Sequence, residues 1–421
     1  MKKIILKSAL LPSKGSGAAR ADILIEGSRF ARIGENLPAV DGAEVVDCSR
    51  FAVLPAFYNG HTHAAMTLLR GYADDMPLQK WLQEYIWPFE AKMTAKDIAI
   101  GSRLAILEMI KSGTVFFADM YWHREETMKA AEEMGVRASI GVTFAEPLMS
   151  AEAIEKNFDF LAAHTGESER VRLAVMPHSV YTVGENLFRR CADFARAEKL
   201  LLHTHLSETK KEVEDCQKQY GCSPVRLLER AGALDGNLVA AHCVHFFDDD
   251  MKAFVDSGAT AVLNPCSNLK LSSGIPPIHA MLAGGMRLAL GTDGASSNNN
   301  LDMHEEMKLA SLLAKVGGTA ETLPAVDALR MASVNVARAY GIPDAGEIRE
   351  GALADCLLVD LNNERMVPAH DLVSNWVYAA DSGCIDSVIC NGRFLMRQRH
   401  VNGEEDILNE AQACAKRLGG R

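Results

Sequence analysis

The 421-residue sequence has no CxxC pair, no long Lys/Arg tract, no Gly/Ser linker and no apolar run approaching the roughly 18 residues of a membrane span. Its ten cysteines are scattered, and runs such as "AAHCVHFF" and "LNPCSN" place them among apolar neighbours. They read as reduced core residues rather than a disulfide framework or a four-cysteine zinc knot; Cys243 and Cys266, beside polar motifs, are left open. With 55 acidic against 44 basic side chains, the net charge is −11, a field that does nothing to hold a phosphate backbone. No nucleic-acid partner is expected. The basic opening "MKKIILKSALL" does not read as a secretory leader, because Lys7 interrupts the apolar run and "PSKGSGAARAD" follows too soon. A cytoplasmic protein without membrane association is expected.

What is present is an ordinary globular composition, 48% apolar and 24% charged, in a chain too long for one small domain. Residues 1–55 carry short apolar runs, "KIILKSALL", "ADILIEG", "RFARIGE" and "AEVVDC", separated by turn residues, the pattern of a small β module. From residue 56 eight short β-type runs recur, near 54–63, 114–120, 137–144, 172–179, 200–206, 238–245, 260–267 and 287–293. Between them lie segments of helical periodicity, among them "AKDIAIGSRLAILEMIKSG", "GENLFRRCADFARAEK" and "LDMHEEMKLASLLAK". This alternation predicts an α/β fold with a (β/α)8 TIM-like barrel over 56–344. A doubly wound open sheet is the rival, but it gives the polar strand ends no reason to converge. After about residue 345 the short-strand pattern returns, so segments 1–55 and 345–421 are expected to share a core as one composite β-sandwich. A terminal helix is expected in the latter half of "VNGEEDILNEAQACAKRLGG".

In a closed parallel barrel the C-terminal strand ends surround one mouth. There the runs carry His61-Thr62-His63, Asp119, Pro177-His178-Ser179, His205, His242 to His245, Asn264 and Thr292-Asp293. Alternate strand residues share a face, so His61 and His63 can both aim inward with Thr62 turned away; two polar turn residues are the local alternative. If His205 and Asp293 meet that pair, three imidazoles and a carboxylate suit one divalent transition metal, which would activate a water. His242 can hold or polarise that water. His203 and His245 compete for such roles, but His203 would lie deeper, in packing or in hydrogen bonding behind the ligands. Glu208 follows His205 by three residues, where a carboxyl group could move protons to a ring nitrogen and then to departing ammonia. Taken alone, a loop glutamate reads as solvent-facing.

The segments "NGHTHAAMTLLRGYADD", "WLQEYIWPFE", "MPHSVY", "HTHLSE", "AAHCVHF", "NPCSNLKLSSG" and "GTDGASSNNNLDM" together closely resemble the amidohydrolase superfamily. The likeness is greatest to the 5-methylthioadenosine/S-adenosylhomocysteine deaminases and their deoxyadenosine-deaminase and chlorohydrolase relatives, and it covers nearly the whole chain. It implies a mononuclear site, for zinc or alternatively iron or manganese, held by His61, His63, His205 and Asp293. It implies further that Glu208 protonates the purine N1, and that His242 and Asp293 orient and deprotonate the attacking water. Glu90, ending "WLQEYIWPFE", would bind the ribose hydroxyls and His178 would contact the nucleoside. On the residues alone, Glu90 is a helix-surface carboxylate and His178 a polar strand end.

The reaction so implied is hydrolytic deamination at adenine C6 of a purine nucleoside, releasing ammonia and the inosine analogue, without a redox cofactor. Members that bind S-adenosylhomocysteine resemble one another in carrying arginines for its carboxylate, where this sequence has Val142 and Ala153. Losing a bidentate donor weakens carboxylate recognition, so adenosine, 5′-deoxyadenosine or methylthioadenosine is favoured, unless another loop or subunit supplies the arginine. The alternatives are an aminohydrolase or chlorohydrolase of guanine, a pterin or a triazine, and a noncatalytic nucleoside-binding barrel. A homo-oligomer is compatible with the sequence.

Overall fold

The computed structural model describes residues 2–12 and 17–419. The opening runs become β1 (Lys3–Pro12), β2 (Ala18–Glu26), β3 (Arg29–Gly34), β4 (Ala43–Asp47) and β5 (Phe51–Pro55). One edge of β1 pairs with β2, while along the other its first half pairs parallel with β4 and Leu10 pairs with Ala52 of β5. A bulge between Leu6 and Ala9, with Ser8 left-handed at φ 59°, turns the strand from one partner to the other.

The central runs become eight parallel strands: β6 (Phe57–Thr62), β7 (Thr114–Asp119), β8 (Arg137–Phe144), β9 (Val171–Pro177), β10 (Leu202–Leu206), β11 (Leu238–His242), β12 (Thr260–Leu263) and β13 (Arg287–Leu290). They lie side by side in chain order. Strands covered on both faces read as unbroken apolar runs, and nearly every residue of these eight is buried. The first and last strands approach to make a nearly closed barrel: the Asp293 N–H donates to the His61 carbonyl at 2.9 Å. Glycine is required at this seam, since a Cβ at Gly60 would stand 2.9 Å from the Leu290 carbonyl oxygen and one at Gly291 only 2.6 Å from the His61 nitrogen.

The helices expected from periodicity include Ala95–Lys111, Glu185–Glu198 and Met303–Lys315. Three strands end well short of the β-type runs, at His242, Leu263 and Leu290. Beyond them Pro265–Lys270 is helical, while His242 and Asp293 take left-handed φ values of 73° and 64°. His242 is still the last rung of its ladder, opposite Leu206, and pairing does not run on past it. The run at 54–63 also divides, its first residues belonging to β5. The helix Asp248–Ser257 escapes the apolar pattern because it opens on three aspartates, which favour a helix N-terminus electrostatically.

The chain returns in β14 (Cys356–Asp360), β15 (Ile385–Cys390), β16 (Arg393–Arg397) and β17 (His400–Val401). β14 pairs antiparallel with β5, from Cys356 opposite Pro55 to Asp360 opposite Phe51, and so joins both chain ends in one nine-stranded mixed sheet. This unit has its own core, with Ile4, Ile23, Phe30, Val53 and Leu358 buried together. A buried ion pair ties it to the barrel, Arg137 Nε of β8 donating to Asp355 Oδ2 at 3.0 Å. The terminal helix, Glu404–Gly419, starts earlier than expected and lies against Ala95–Lys111, where Lys111 pairs with Glu404 and Arg417 with Asp97. All ten cysteines are free and eight are buried, Cys243 among them, with Cys222 and Cys266 half-buried. No helix among the described residues is long and apolar enough to cross a membrane.

Candidate metal centre and substrate cleft

The four residues expected as ligands meet at the C-terminal mouth of the barrel. The nitrogens of His61, His63 and His205 lie within 4.8 Å of one another, as do the candidate ligand atoms of His61, His242 and Asp293. Asp293 Oδ1 stands 3.4 Å from His61 Nε2 and 3.2 Å from His63 Nε2. His63 and His205 face each other, Nε2 to Nε2, at 3.3 Å. Thr62 turns the other way, its hydroxyl donating to the Ala118 carbonyl at 2.9 Å.

The hydrogen bonds behind the ligands assign their hydrogens. His63 Nδ1 donates to the Met120 carbonyl at 2.6 Å and His205 Nδ1 to the His178 carbonyl at 2.7 Å, so each ring, when neutral, presents a bare Nε2 to the centre. For His61 the assignment passes through two further residues. The Tyr340 hydroxyl gives its one hydrogen to the Gly60 carbonyl at 2.6 Å and therefore accepts from His203 Nδ1 at 2.7 Å. Burial drives the His203 pKa well below its ordinary value, so the ring is neutral and its Nε2 accepts from His61 Nδ1 at 2.9 Å. His61 Nε2 is then bare as well, and it is buried without a hydrogen-bond partner. Leaving such an atom unsatisfied costs about 1–3 kcal/mol. Three imidazole lone pairs and a carboxylate oxygen converging with no hydrogen between them fit a divalent transition metal.

Asp293 is oriented by two hydroxyls, Ser267 Oγ at 2.6 Å and Ser297 Oγ at 2.7 Å, both donating to Oδ2. His242 Nδ1 pairs with Asn268 Oδ1 at 2.9 Å, which turns Nε2 towards Glu208 Oε2 at 3.9 Å. Glu208 is buried, its pKa raised by desolvation, and it accepts from Ser273 Oγ at 3.1 Å. A carboxyl group whose acid form burial favours can donate a proton to a nearby electrophilic centre. His245, by contrast, is spent on the Ser273 carbonyl at 2.7 Å.

Beside this cluster opens a cleft walled by Trp81, Trp87, Tyr121, Trp122, Leu148 and Tyr181. Glu90 and His178 both line it, so Glu90 is not the helix-surface carboxylate that its local sequence suggests. Burial raises the Glu90 pKa to about 7, against the pull of Tyr121, whose hydroxyl donates to Glu90 Oε1 at 2.6 Å. His178 is held neutral by burial, its pKa down to about 3, and its Nδ1 faces Thr182 Oγ1 at 2.9 Å. Among the described residues no Arg or Lys lines this cleft, and Val142 is fully buried in β8. Tyr121, Tyr340, Asn268, Ser267 and Ser297 were not singled out from the sequence. Proximity to "GTDGASS" and the strand ends could have flagged all but Tyr340; Ser297 apart, their partners lie tens to hundreds of residues away.

A nearly closed parallel barrel with an acceptor-only His/His/His/Asp cluster at its mouth defines a metal-dependent hydrolase architecture. Residues 52–395 match the amidohydrolase family, and the chain belongs to it. It is 44% identical to a 5′-deoxyadenosine deaminase of Methanospirillum hungatei, over 90% of this chain and 85% of that one. It is 42% identical to a 5-methylthioadenosine/S-adenosylhomocysteine deaminase of Archaeoglobus fulgidus, over 99% of each. Among solved structures, an adenosine deaminase from Xanthomonas campestris with bound zinc superimposes with a TM-score of 0.95 at 30% identity, covering 100% of this chain and 99% of the other.

Proposed function

We propose that the protein is a hydrolytic deaminase of adenosine-type nucleosides with a neutral 5′ group, dependent on one divalent metal, most simply zinc. The observation that carries this reading is the juxtaposition of a bare-nitrogen metal cluster, the buried acid Glu208 and the cleft carboxylate Glu90 at one barrel mouth. Similarity to deaminases of 5′-deoxyadenosine and methylthioadenosine supports the substrate class. In this reading residues 56–344 are the hydrolase barrel, and residues 1–55 with 345–421 are the composite β-domain beside it.

His61, His63, His205 and Asp293 would hold the metal, which when bound lowers the pKa of a water and makes it nucleophilic at neutral pH. His242 and Asp293 orient that water and take its proton. Glu208, whose acid form burial favours, donates to purine N1 as C6 becomes tetrahedral; as the carboxylate it then takes the proton of the new C6 hydroxyl and passes it to the departing ammonia, and the proton first taken from the water restores it. Glu90, as the carboxylate, accepts from the ribose hydroxyls, and His178 contacts the nucleoside. With aromatic and apolar walls and no Arg or Lys among the described residues lining it, the cleft gives the carboxylate of an amino-acid tail no cationic side chain to pair with. This favours adenosine, 5′-deoxyadenosine and methylthioadenosine over S-adenosylhomocysteine.

The test is ammonia release by metal-loaded protein across these four nucleosides, guanine and pterins, with chloride release from chlorotriazines. Fastest turnover is expected with a neutral 5′-modified adenosine. Turnover of another heterocycle alone would overturn the substrate, and nucleoside binding without any release would overturn catalysis.

A further inference from the structure

Glu212 is one of the few buried carboxyl groups to which the reaction above gives no task. It lies in the first turn of the helix Lys210–Tyr220, where Thr209 is the N-cap and accepts from the Glu212 N–H at 3.1 Å. A glutamate at this position ordinarily reaches back to the backbone N–H of the N-cap residue itself. Glu212 reaches further, accepting from the Ser207 N–H with Oε1 and from the Glu208 N–H with Oε2, each at 2.8 Å. Between these bonds and strand β10 the chain turns sharply, Ser207 having a left-handed φ of 50°. The other side of the turn is tied down too, since the Val244 and His245 N–H groups both donate to the Ser207 carbonyl, at 3.1 and 2.9 Å.

We infer that Glu212 is a positioning residue for Glu208: its carboxylate fork holds the Ser207 turn and thereby sets where the Glu208 side chain enters the cleft. The bonds themselves support this. A carboxylate can accept two convergent N–H groups, whereas an amide of the same shape offers one oxygen and an NH2 that would meet the second N–H donor to donor. A left-handed serine is also uncommon and needs its surroundings to hold it. Glu208 meanwhile has few other restraints, its carboxyl group meeting Ser273 Oγ at 3.1 Å and His242 at 3.9 Å. A small rotation of the turn would therefore carry it away from the reacting atom.

The inference rests on the proton-donor role proposed for Glu208, not on which heterocycle is the substrate. The experiment accordingly uses metal-loaded protein and whichever heterocycle the wild type turns over fastest. Glu212→Gln is compared with Glu208→Gln and with Thr209→Ala, which weakens the same helix start without touching the fork. For Glu212→Gln, kcat is expected to fall about 10- to 100-fold, as for a misplaced reacting group, with KM and metal content unchanged. Its pH–rate profile should be displaced, and in the Glu208→Gln background the second change should add less than twofold. Thr209→Ala should lower the melting temperature while leaving the pH profile in place. A Glu212→Gln protein with wild-type kcat and pH profile would overturn the inference. So would one whose activity falls only in step with lost metal or lost folded protein, or one whose effect multiplies fully with Glu208→Gln. Absence of adenosine turnover by the wild type overturns the substrate reading instead.

Discussion

His63 Nε2 and His205 Nε2 face each other at 3.3 Å, and when both rings are neutral they have no hydrogen to share, because each has given its Nδ1 hydrogen to a backbone carbonyl. Two lone pairs so placed repel, and a cation between them turns the repulsion into attraction. Metal binding should therefore stabilise the folded chain strongly. Metal present at about 1,000 times its dissociation constant adds about 4 kcal/mol, so removal by a chelator should lower the melting temperature by several degrees and abolish turnover, both reversed by re-addition. His63→Ala and His205→Ala should each lose bound metal. Full metal occupancy in either variant would refute the ligand set.

Tyr340 touches no proposed ligand, yet through His203 it decides which nitrogen of His61 is bare. Tyr340→Phe removes the acceptor that fixes the His203 tautomer. Metal affinity should fall about 10- to 100-fold, the usual effect of losing a partner behind a histidine ligand, with the fold retained. Competition against a chromophoric chelator measures this, and unchanged affinity would show that the relay does not act.

Glu90 supplies a pH dependence whose sign follows from burial. Desolvation raises its pKa to about 7, so the carboxylate that would accept ribose hydroxyls is present above that pH and lost as pH falls through it. The KM for a ribonucleoside should accordingly rise on acidification, while that of its 2′,3′-dideoxy analogue changes little. The Tyr121 hydroxyl opposes the shift, so Tyr121→Phe should move the ribonucleoside limb to higher pH. Equal pH dependence for both substrates would sink this role for Glu90.

Asp355 joins the mixed sheet to the barrel. It accepts from Arg137 Nε at 3.0 Å, from the Tyr58 hydroxyl and from the Asn391 N–H at 2.5 Å, and it is fully buried. Removing one member of a buried ion pair strands the other charge and costs about 3–5 kcal/mol. Urea denaturation of Asp355→Ala should show a loss of unfolding free energy of that size. A shift equivalent to less than 1 kcal/mol would mean that water replaces the lost partner.

The barrel was legible because strands covered on both faces must be apolar along their whole length, and the helices between them carry a 3.6-residue period. What failed was local. His242 at the end of its strand and Asp293 past its own take left-handed conformations, which an apolar or polar pattern does not encode. The helix beginning at Asp248 hides behind its own acidic first turn. Glu90 looks like a surface carboxylate because the wall that buries it, including Tyr121, comes from another strand's end.

The order of strands and helices, the pairing of the two chain ends and the grouping of His61, His63, His205 and Asp293 were thus readable from the amino-acid sequence, through period, spacing and family likeness. Only the tertiary structure decided the hydrogens. That Tyr340 and His203 leave His61 Nε2 bare, that Glu212 holds the Ser207 turn, and that Glu90 is half-ionised near neutrality depend on distances between residues remote in the chain. Hydrogen bonds act over about 3 Å, and desolvation depends on everything that surrounds a group. Both are properties of the packed chain, which residue order specifies only through the fold.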